Sequence, residues 1–289
     1  MNGILEMILS TFAFSLMTLS VKLSSLNTAN IILYRSLIQF IFTSISIKYK
    51  RIPLENSQMG ILLCRGAVGA VEIGLFYYSV QHLKIEDATI IFLSAPILTT
   101  ILSYFILGEQ IFMQNIISLI LCIVGSLLVA APQFGKINAG VYAAIGGAIT
   151  SSIVYILIKY LKSHALYSIL SFNIFSALIS SVEIAFTRTL QVPNDPWLIL
   201  IIIFSYIGQY YLNTALQKIP ASTGTLIVNL DVVFAFVYSV CVFQNSIDLN
   251  SCIGAALVMI GSMLSANAHS KEEELENEDG DEEEALLKK

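Results

Sequence analysis

The chain contains little charge. Only 12% of its 289 residues are Asp, Glu, Lys or Arg, against about 25% in a typical soluble domain. Residues 271–289 hold ten of the twenty acids, so few charges remain to cover a water-facing surface over the rest of the chain. With 56% hydrophobic residues and a mean hydropathy of +0.78, this composition predicts an integral membrane protein.

Motifs for several other functions are missing. The four cysteines lie inside apolar runs and show neither metal-ligand nor disulfide spacing. The three histidines are isolated; His82, with Glu86 four residues later, is the nearest approach to an acid–base pair. No basic face for nucleic acid and no Walker motif for ATP-driven pumping are present. We therefore expect no enzymatic activity, no cofactor, no metal site and no nucleic-acid partner.

Long apolar runs separated by short polar breaks indicate the architecture. A bilayer core about 30 Å thick needs about 20 apolar residues per helix. On this basis the sequence predicts an all-α integral membrane protein with ten transmembrane helices, at residues 4–23, 29–47, 59–81, 88–108, 113–132, 139–161, 166–187, 197–216, 221–243 and 249–268.

The positive charges in the short loops predict the orientation. An even number of spans places both ends of the chain on one side, which collects seven Lys or Arg residues against four on the other side. Because basic loops stay on the cytosolic side, we expect both termini to be cytosolic. The membrane itself is either the plasma membrane or an endomembrane.

The two halves of the chain resemble each other. Residues 76–109 match residues 211–244 in hydrophobic phasing at a shift of 135, and Lys22 falls on Lys159 at a shift of 137. Five spans per copy is an odd number, so the second copy must insert upside down. This pattern predicts a five-plus-five inverted repeat, as in alternating-access transporters. Chance similarity between apolar segments is the alternative.

Several motifs carry a resemblance to a known family. They are "FSLMTLSVKL", "YRSLIQF", "CRGAVG", "FYYSVQHL" and "EDATIIFLSAPILTT", with Pro96 and Glu109 at the family's spacing. On these motifs the chain resembles the EamA-type branch of the drug/metabolite transporter superfamily, and most of all the G subfamily of the eukaryotic solute carrier 35 group. In the second half, Asp231 and Gln244 stand where Pro96 and Glu109 would fall.

The resemblance implies two EamA-like repeats of five helices each, at residues 3–132 and 139–268. They are followed by an acidic tail at 270–289 that we expect to be disordered, because it cannot bury a core. Within the tail, Glu282 followed by Leu286-Leu287 fits an acidic dileucine signal for a sorting adaptor.

Charged and polar groups inside the spans are the candidate substrate-binding residues, since such groups are costly in a membrane interior. Glu72 and Asp231 lie near the middle of their spans and are too short to reach the interface. For Arg65 and Glu183 a static ion pair or a group extending to the interface is favoured, and interface anchoring competes for Tyr77 and Tyr78. The candidates are Arg35, Glu72, Tyr77, Tyr78, Tyr206, Gln209, Tyr210, Asn213, Asn229 and Asp231.

Together these features predict a secondary active or exchange transporter of a small polar metabolite, with an organic anion or a nucleotide-linked compound as candidate substrates. Its expected partners are this small molecule and the lipid bilayer, with a coupling proton and a homodimer as further candidates. The alternatives are a non-transporting scaffold or receptor acting through the tail, and a membrane-embedded acyltransferase.

Overall fold

The computed structural model describes residues 2–53, 58–83, 88, 91–92, 94–130, 139–161, 164–244 and 249–267. Apart from short connections, these residues are helical. The tail at 270–289, with its predicted disorder and sorting signal, lies outside the described residues. The helices are α1 Gly3–Leu23, α2 Thr28–Lys50, α3 Met59–His82, α4 Ser94–Leu102, α5 Met113–Ala130, α6 Ala139–Tyr160, α7 Ala165–Thr187, α8 Pro196–Leu216, α9 Ala221–Val228, α10 Leu230–Cys241 and α11 Leu249–Asn267.

Eight described helical segments are long and apolar enough to cross a membrane, with α9 and α10 counted as one segment, Ala221–Cys241. Two further apolar helices, Ser94–Leu107 and Met113–Val129, are shorter within the described part of the chain. The prediction of an all-helical, multi-pass membrane protein is confirmed. That all ten helices cross the bilayer, as an inverted repeat, stays a prediction.

Local sequence explains where several helices begin and end. The side chains of Asn2, Asn27 and Asp195 accept hydrogen bonds from the first-turn N–H groups of α1, α2 and α8, which otherwise have no partner. At the opposite ends, Arg51 and Arg188 adopt the left-handed conformation after α2 and α7. These caps fix the ends of the helices at the short polar connections.

Small residues allow helices from distant parts of the chain to approach closely. A Cβ placed at Gly125 of α5 would lie 2.6 Å from the Gly254 carbonyl oxygen of α11, and a Cβ at Gly66 of α3 would overlap Ser171 Oγ of α7. Such contacts hold transmembrane helices together where no hydrophobic effect operates between them. The most extensive helix pairs are α1 with α8, α3 with α6, and α2 with α7.

Two helices are interrupted in ways that shape the interior. Directly after α4 the chain continues as a π-helical segment, Ser103–Leu107, which is followed by Gly108 with a φ of 69°. The chain also breaks at Asn229, between α9 and α10. Because helix breaks release backbone groups, they are tolerated at membrane depth where they are buried in protein or line a cavity.

Candidate functional site

A cavity of about 100 Å³ lies between α1, α3, α4, α6, α8, α9 and α10. Much of its wall is aromatic or aliphatic, including Phe14, Met17, Phe76 and Phe92. A few polar groups converge on it, which is the composition of a site for a small molecule. Its polar lining includes Glu72, Ser151, Tyr155, Gln209, Asn229 and Asp231.

Glu72 reaches the cavity from the middle of α3. Its Oε1 accepts a hydrogen bond from Ser151 Oγ of α6 at 2.7 Å. The charges of Arg65 and Arg35 both act on this carboxylate. Among the described residues Lys218–Glu6 is the only ion pair within 4.0 Å, so neither arginine lies within ion-pair distance of Glu72. Glu72 is therefore fixed by a neutral partner and retains capacity to bind a proton or a ligand.

Asp231 is the second cavity carboxylate and lies in the first turn of α10, just after the break at Asn229. Over the part of the chain that the structure describes, it has neither a hydrogen-bond nor an ion-pair partner. The side chains of Tyr155 and Tyr238 lie close enough to interact with its charge. A carboxylate in this position is costly when ionised and unpaired. It is consequently the least compensated acid that the cavity presents.

Two fully buried arginines flank one aromatic ring beside the cavity. The guanidinium carbons of Arg35 and Arg65 lie 4.9 and 5.0 Å from the centroid of the Phe172 ring, within the range of a cation–π interaction. Arg35 Nη1 donates to Tyr77 Oη at 3.3 Å, and Arg65 Nη2 donates to Gln209 Oε1 at 3.0 Å. The remaining guanidinium nitrogens have no hydrogen-bond partner among the described residues.

The structure brings seven of the ten predicted site residues together: four line the cavity, and Arg35, Tyr77 and Asn213 are buried and bonded to its lining or to each other. Glu72, Gln209, Asn229 and Asp231 line the cavity. Arg35 joins the arginine pair behind it. Asn213 is buried and donates to the Gln209 carbonyl oxygen at 2.7 Å. Gln209 and Asn213, four residues apart on α8, are both buried.

The predicted tyrosines do not line the cavity in this structure. Tyr77 is fully buried and bonded to Arg35. Tyr78 stacks on His82 with ring centroids 4.0 Å apart. Tyr206 meets Phe42 of α2 edge-on at 5.1 Å, and Tyr210 packs against its neighbour Tyr211. A role for these four in substrate binding stays a prediction.

Sequence reasoning missed Ser151 and Tyr155, and favoured a static or interfacial role for Arg65. Ser151 and Ser152 are adjacent and look alike in the sequence, yet Ser152 bonds the Ile149 carbonyl of its own helix while Ser151 bonds Glu72. Back-bonding of this kind is the ordinary role of serine within a transmembrane helix. An interfacial position does not hold for Arg65, which is completely buried.

Hydrogen bonds tie helices together on both faces of the bundle. We call the side on which α1 begins face A and the side on which it ends face B. On face A, Glu109 accepts from Ala221 N at 2.7 Å and from Ser222 N at 3.2 Å, at the start of α9. On face B, Asp195 accepts from Ser24 Oγ at 2.7 Å and from Ser25 N at 2.8 Å.

The environment of Asp195 changes its acidity. Burial opposes ionisation, but the hydrogen bonds from Ser24, Ser25 and Trp197 outweigh it and lower the pKa of this carboxyl below its ordinary value. Asp195 therefore stays ionised at neutral pH. In that form it holds the α1–α2 connection against the start of α8.

No group of three or more His, Cys, Asp or Glu residues in the described ranges could hold a metal ion. The cavity and the arginine pair are thus the chemically distinctive features of the interior.

Comparison with known proteins places these features in a family. The model of the EamA-like transporter family matches residues 1–131 and 138–267. The chain is 27% identical over 286 residues to human solute carrier family 35 member G1, with 91% of this chain and 78% of that protein covered. It is 25% identical over 268 residues to the pseudopaline exporter CntI of Pseudomonas aeruginosa, covering 90% and 94% of the two chains.

A solved crystal structure has the same fold. It superposes with a TM-score of 0.76 at 13% identity and covers 91% of this chain and 98% of its own. The resemblance to EamA-type transporters and to the G subfamily is confirmed. These names are those of transporters and not of enzymes, which supports the expectation that the chain is not an enzyme.

Proposed function

The chain belongs to the EamA-like transporter family, and we propose that it carries a small polar metabolite across the membrane by alternating access through the cavity around Glu72 and Asp231. The observation that carries this proposal is the position of the cavity. It is lined by residues from both family-matched stretches, at the middle of long apolar helices. Substrate sites of secondary transporters lie there, at the interface between repeats.

Pairing between the halves supports an inverted five-plus-five repeat. Under the shift found in the sequence, α1 corresponds to α6 and α3 to α8, so the contacts of α1 with α8 and of α6 with α3 are counterparts. Lys22 at the end of α1 donates to the Leu83 carbonyl oxygen at 2.6 Å, just after α3. Lys159 at the end of α6 donates to the Ile219 carbonyl oxygen at 2.9 Å, just after α8. Two equivalent connections on opposite faces suit the rocking of one repeat against the other.

We further propose that Asp231 exchanges a proton during transport. Its ionised form has no compensating cation among the described residues, whereas its protonated form is neutral and suited to an apolar wall. The corresponding position in the first half, Pro96, cannot titrate, so one carboxylate serves the whole carrier. The candidate substrates are organic anions and nucleotide-linked compounds. In this proposal face A, with both termini, is cytosolic.

Uptake by purified protein in liposomes tests the proposal. Vesicles containing the full chain are offered a panel of labelled metabolites, and we expect at least one to enter faster than into empty vesicles. Ser151→Leu fills the cavity wall and removes the hydrogen bond to Glu72, so it should abolish this uptake. Ile153→Leu, at an exposed position of the same helix, is the matched control and should transport normally. Equal uptake by well-folded Ser151→Leu and wild-type protein would reject the cavity as the route.

A further inference from the structure

The guanidinium of Arg65 is held at the cavity wall by a weak acceptor. Arg65 is completely buried, and Nη2 is the one nitrogen with a partner among the described residues, the amide oxygen of Gln209. Gln209 itself lines the cavity. Nη1 and Nε have no hydrogen-bond partner within the described ranges. The amide side chain of Gln209 therefore contacts both the buried cation and the space in which a ligand would lie.

A neutral amide oxygen is a poor match for this cation. Hydrogen bonds to an ionised acceptor are about twice as strong as those between neutral groups, and a carboxylate can accept two parallel bonds from a guanidinium. Gln209 Oε1 occupies one donor and leaves two nitrogens unsatisfied, which is unfavourable for buried groups. An anion with two oxygens would satisfy more of the guanidinium than Gln209 does.

The two arginines differ in this respect. Arg35 donates to Tyr77 Oη, which does not itself line the cavity, and Tyr77 in turn donates to Met17 Sδ of the cavity wall at 3.1 Å. The acceptor of Arg65, in contrast, belongs to the cavity wall. An anion arriving from the cavity would meet Gln209 first, and Arg65 directly behind it.

The backbone of α3 makes room for this guanidinium. A Cβ placed at Gly69 would overlap Arg65 Nη1 and lie 3.0 Å from the Phe172 ring. Arg65 can therefore fold back along its own helix, beside the ring, because residue 69 has no side chain. Gly74 lies on the same helix, but a Cβ placed there would have no neighbouring atom within 4 Å among the described residues, so Gly74 has no such role.

We propose that Gln209 is a placeholder for the substrate, and that a carboxylate group of the substrate displaces its amide oxygen to bind Arg65 in a bidentate manner. This inference rests on the proposed transport function and assigns it a substrate class, small organic carboxylates. Glu72 and Asp231 line the same cavity, in which Asp231 exchanges the coupling proton under the proposed function. Arg65 is the specificity-determining residue, and Gly69 is its positioning residue.

Opposite substitutions at Gln209 test the displacement. Gln209→Glu places a permanent carboxylate beside Arg65, and it should raise the KM for carboxylate uptake by about tenfold or more because it competes from within the protein. Gln209→Ala removes the competitor and should lower that KM. If Gln209 were instead an ordinary substrate ligand, Gln209→Ala would raise the KM, and this result would overturn the proposal.

Gly69→Ala tests the position of the guanidinium without changing its charge. We expect a KM at least about fivefold higher with little change in kcat, because the displaced guanidinium loses part of its contact with the carboxylate. Gly74→Ala is the matched control and should leave the KM unchanged. An unchanged KM in correctly folded Gly69→Ala would contradict the role given to this glycine and to the site.

A binding measurement separates this inference from the transport proposal. Thermal unfolding of the detergent-solubilised full chain is followed with sodium salts of mono-, di- and tricarboxylates, and with their uncharged amides at matched ionic strength. At least one carboxylate should stabilise the wild type, its amide should not, and Gln209→Glu should not respond. Stabilisation without uptake would refute transport and keep the anion site. Uptake confined to compounds without a carboxylate, or no stabilisation by any carboxylate, would refute the anion site.

Discussion

Glu109 binds the first turn of α9 through both of its carboxylate oxygens: Oε1 accepts from Ala221 N, and Oε2 accepts from the backbone N–H and the hydroxyl of Ser222 at 3.2 and 3.0 Å. Glu109 and Ala221 lie 112 residues apart in the chain, one in each family-matched stretch. Their hydrogen bond therefore joins the two stretches at face A. A negative charge at a helix N-terminus is also favoured by the helix dipole. Lys159 lies close enough to interact with the same charge.

Glu109→Gln should therefore destabilise the fold. The amide retains the size of the side chain but has one acceptor oxygen in place of two, and it loses the charge that the helix N-terminus favours. We expect a loss of about 1–3 kcal/mol, visible as a lower Tm in detergent. Gln110→Ala, at the adjacent exposed residue, serves as the control and should unfold like the wild type. A Tm of Glu109→Gln equal to that of the wild type would show that these hydrogen bonds contribute nothing.

Asp231→Asn should uncouple transport from protons. Removing the titratable group keeps the shape of the side chain, so equilibrative exchange of the substrate should persist, while accumulation driven by a pH gradient should disappear. Counterflow and gradient-driven uptake in the same liposomes measure the two activities. Glu183→Gln changes an exposed carboxylate of α7 and should behave as the wild type in both assays.

Two other outcomes have different meanings. If Asp231 is a ligand of the substrate, exchange and accumulation will fail together, with a higher KM. If Asp231→Asn and Glu72→Gln both show concentrative uptake with normal pH dependence, neither cavity carboxylate carries the coupling proton.

The contribution of Asp195 to stability should depend on pH. Its pKa is lower in the folded protein than its ordinary value of 3.8, so ionised Asp195 stabilises the fold above that value, and this stabilisation is lost as the pH falls through the lowered pKa. Asp195→Asn should consequently lower the Tm between about pH 5 and 7, and the difference from the wild type should shrink below pH 3.8. A Tm difference that stays constant down to about pH 3 would contradict this assignment.

Helix positions could be predicted closely from the sequence. Predicted spans 4–23, 139–161 and 197–216 correspond to Gly3–Leu23, Ala139–Tyr160 and Pro196–Leu216. The reason is that a bilayer-spanning helix requires about 20 apolar residues, and loops must carry the polar ones. The break within the ninth predicted span could not be predicted from the sequence. It lies at Asn229, between α9 and α10, where no proline or glycine marks it.

Part of the candidate site followed from the same reasoning. Glu72, Gln209, Asn229 and Asp231 are polar groups near the middle of apolar spans, where an ionisable or amide group facing lipid is costly. Their presence on the cavity wall therefore agrees with a physical rule that acts on each span separately. Tyr78 and Tyr206 are also among the candidates, with interface anchoring as the alternative for Tyr78. Aromatic rings are also stable against lipid and neighbouring rings, and these two pack outside the cavity lining.

The sequence by itself determined the class of the protein, the course of many of its helices and the interior position of Glu72 and Asp231, because each depends on the free energy of placing one segment or one group in an apolar medium. Only the tertiary structure decided the partners of those residues. Arg65 meets Gln209 across 144 residues of chain and Ser151 meets Glu72 across 79. Hydrogen bonds require atoms to come within about 3 Å in the right direction, and that approach is set by how the helices pack and not by the residues of either helix alone.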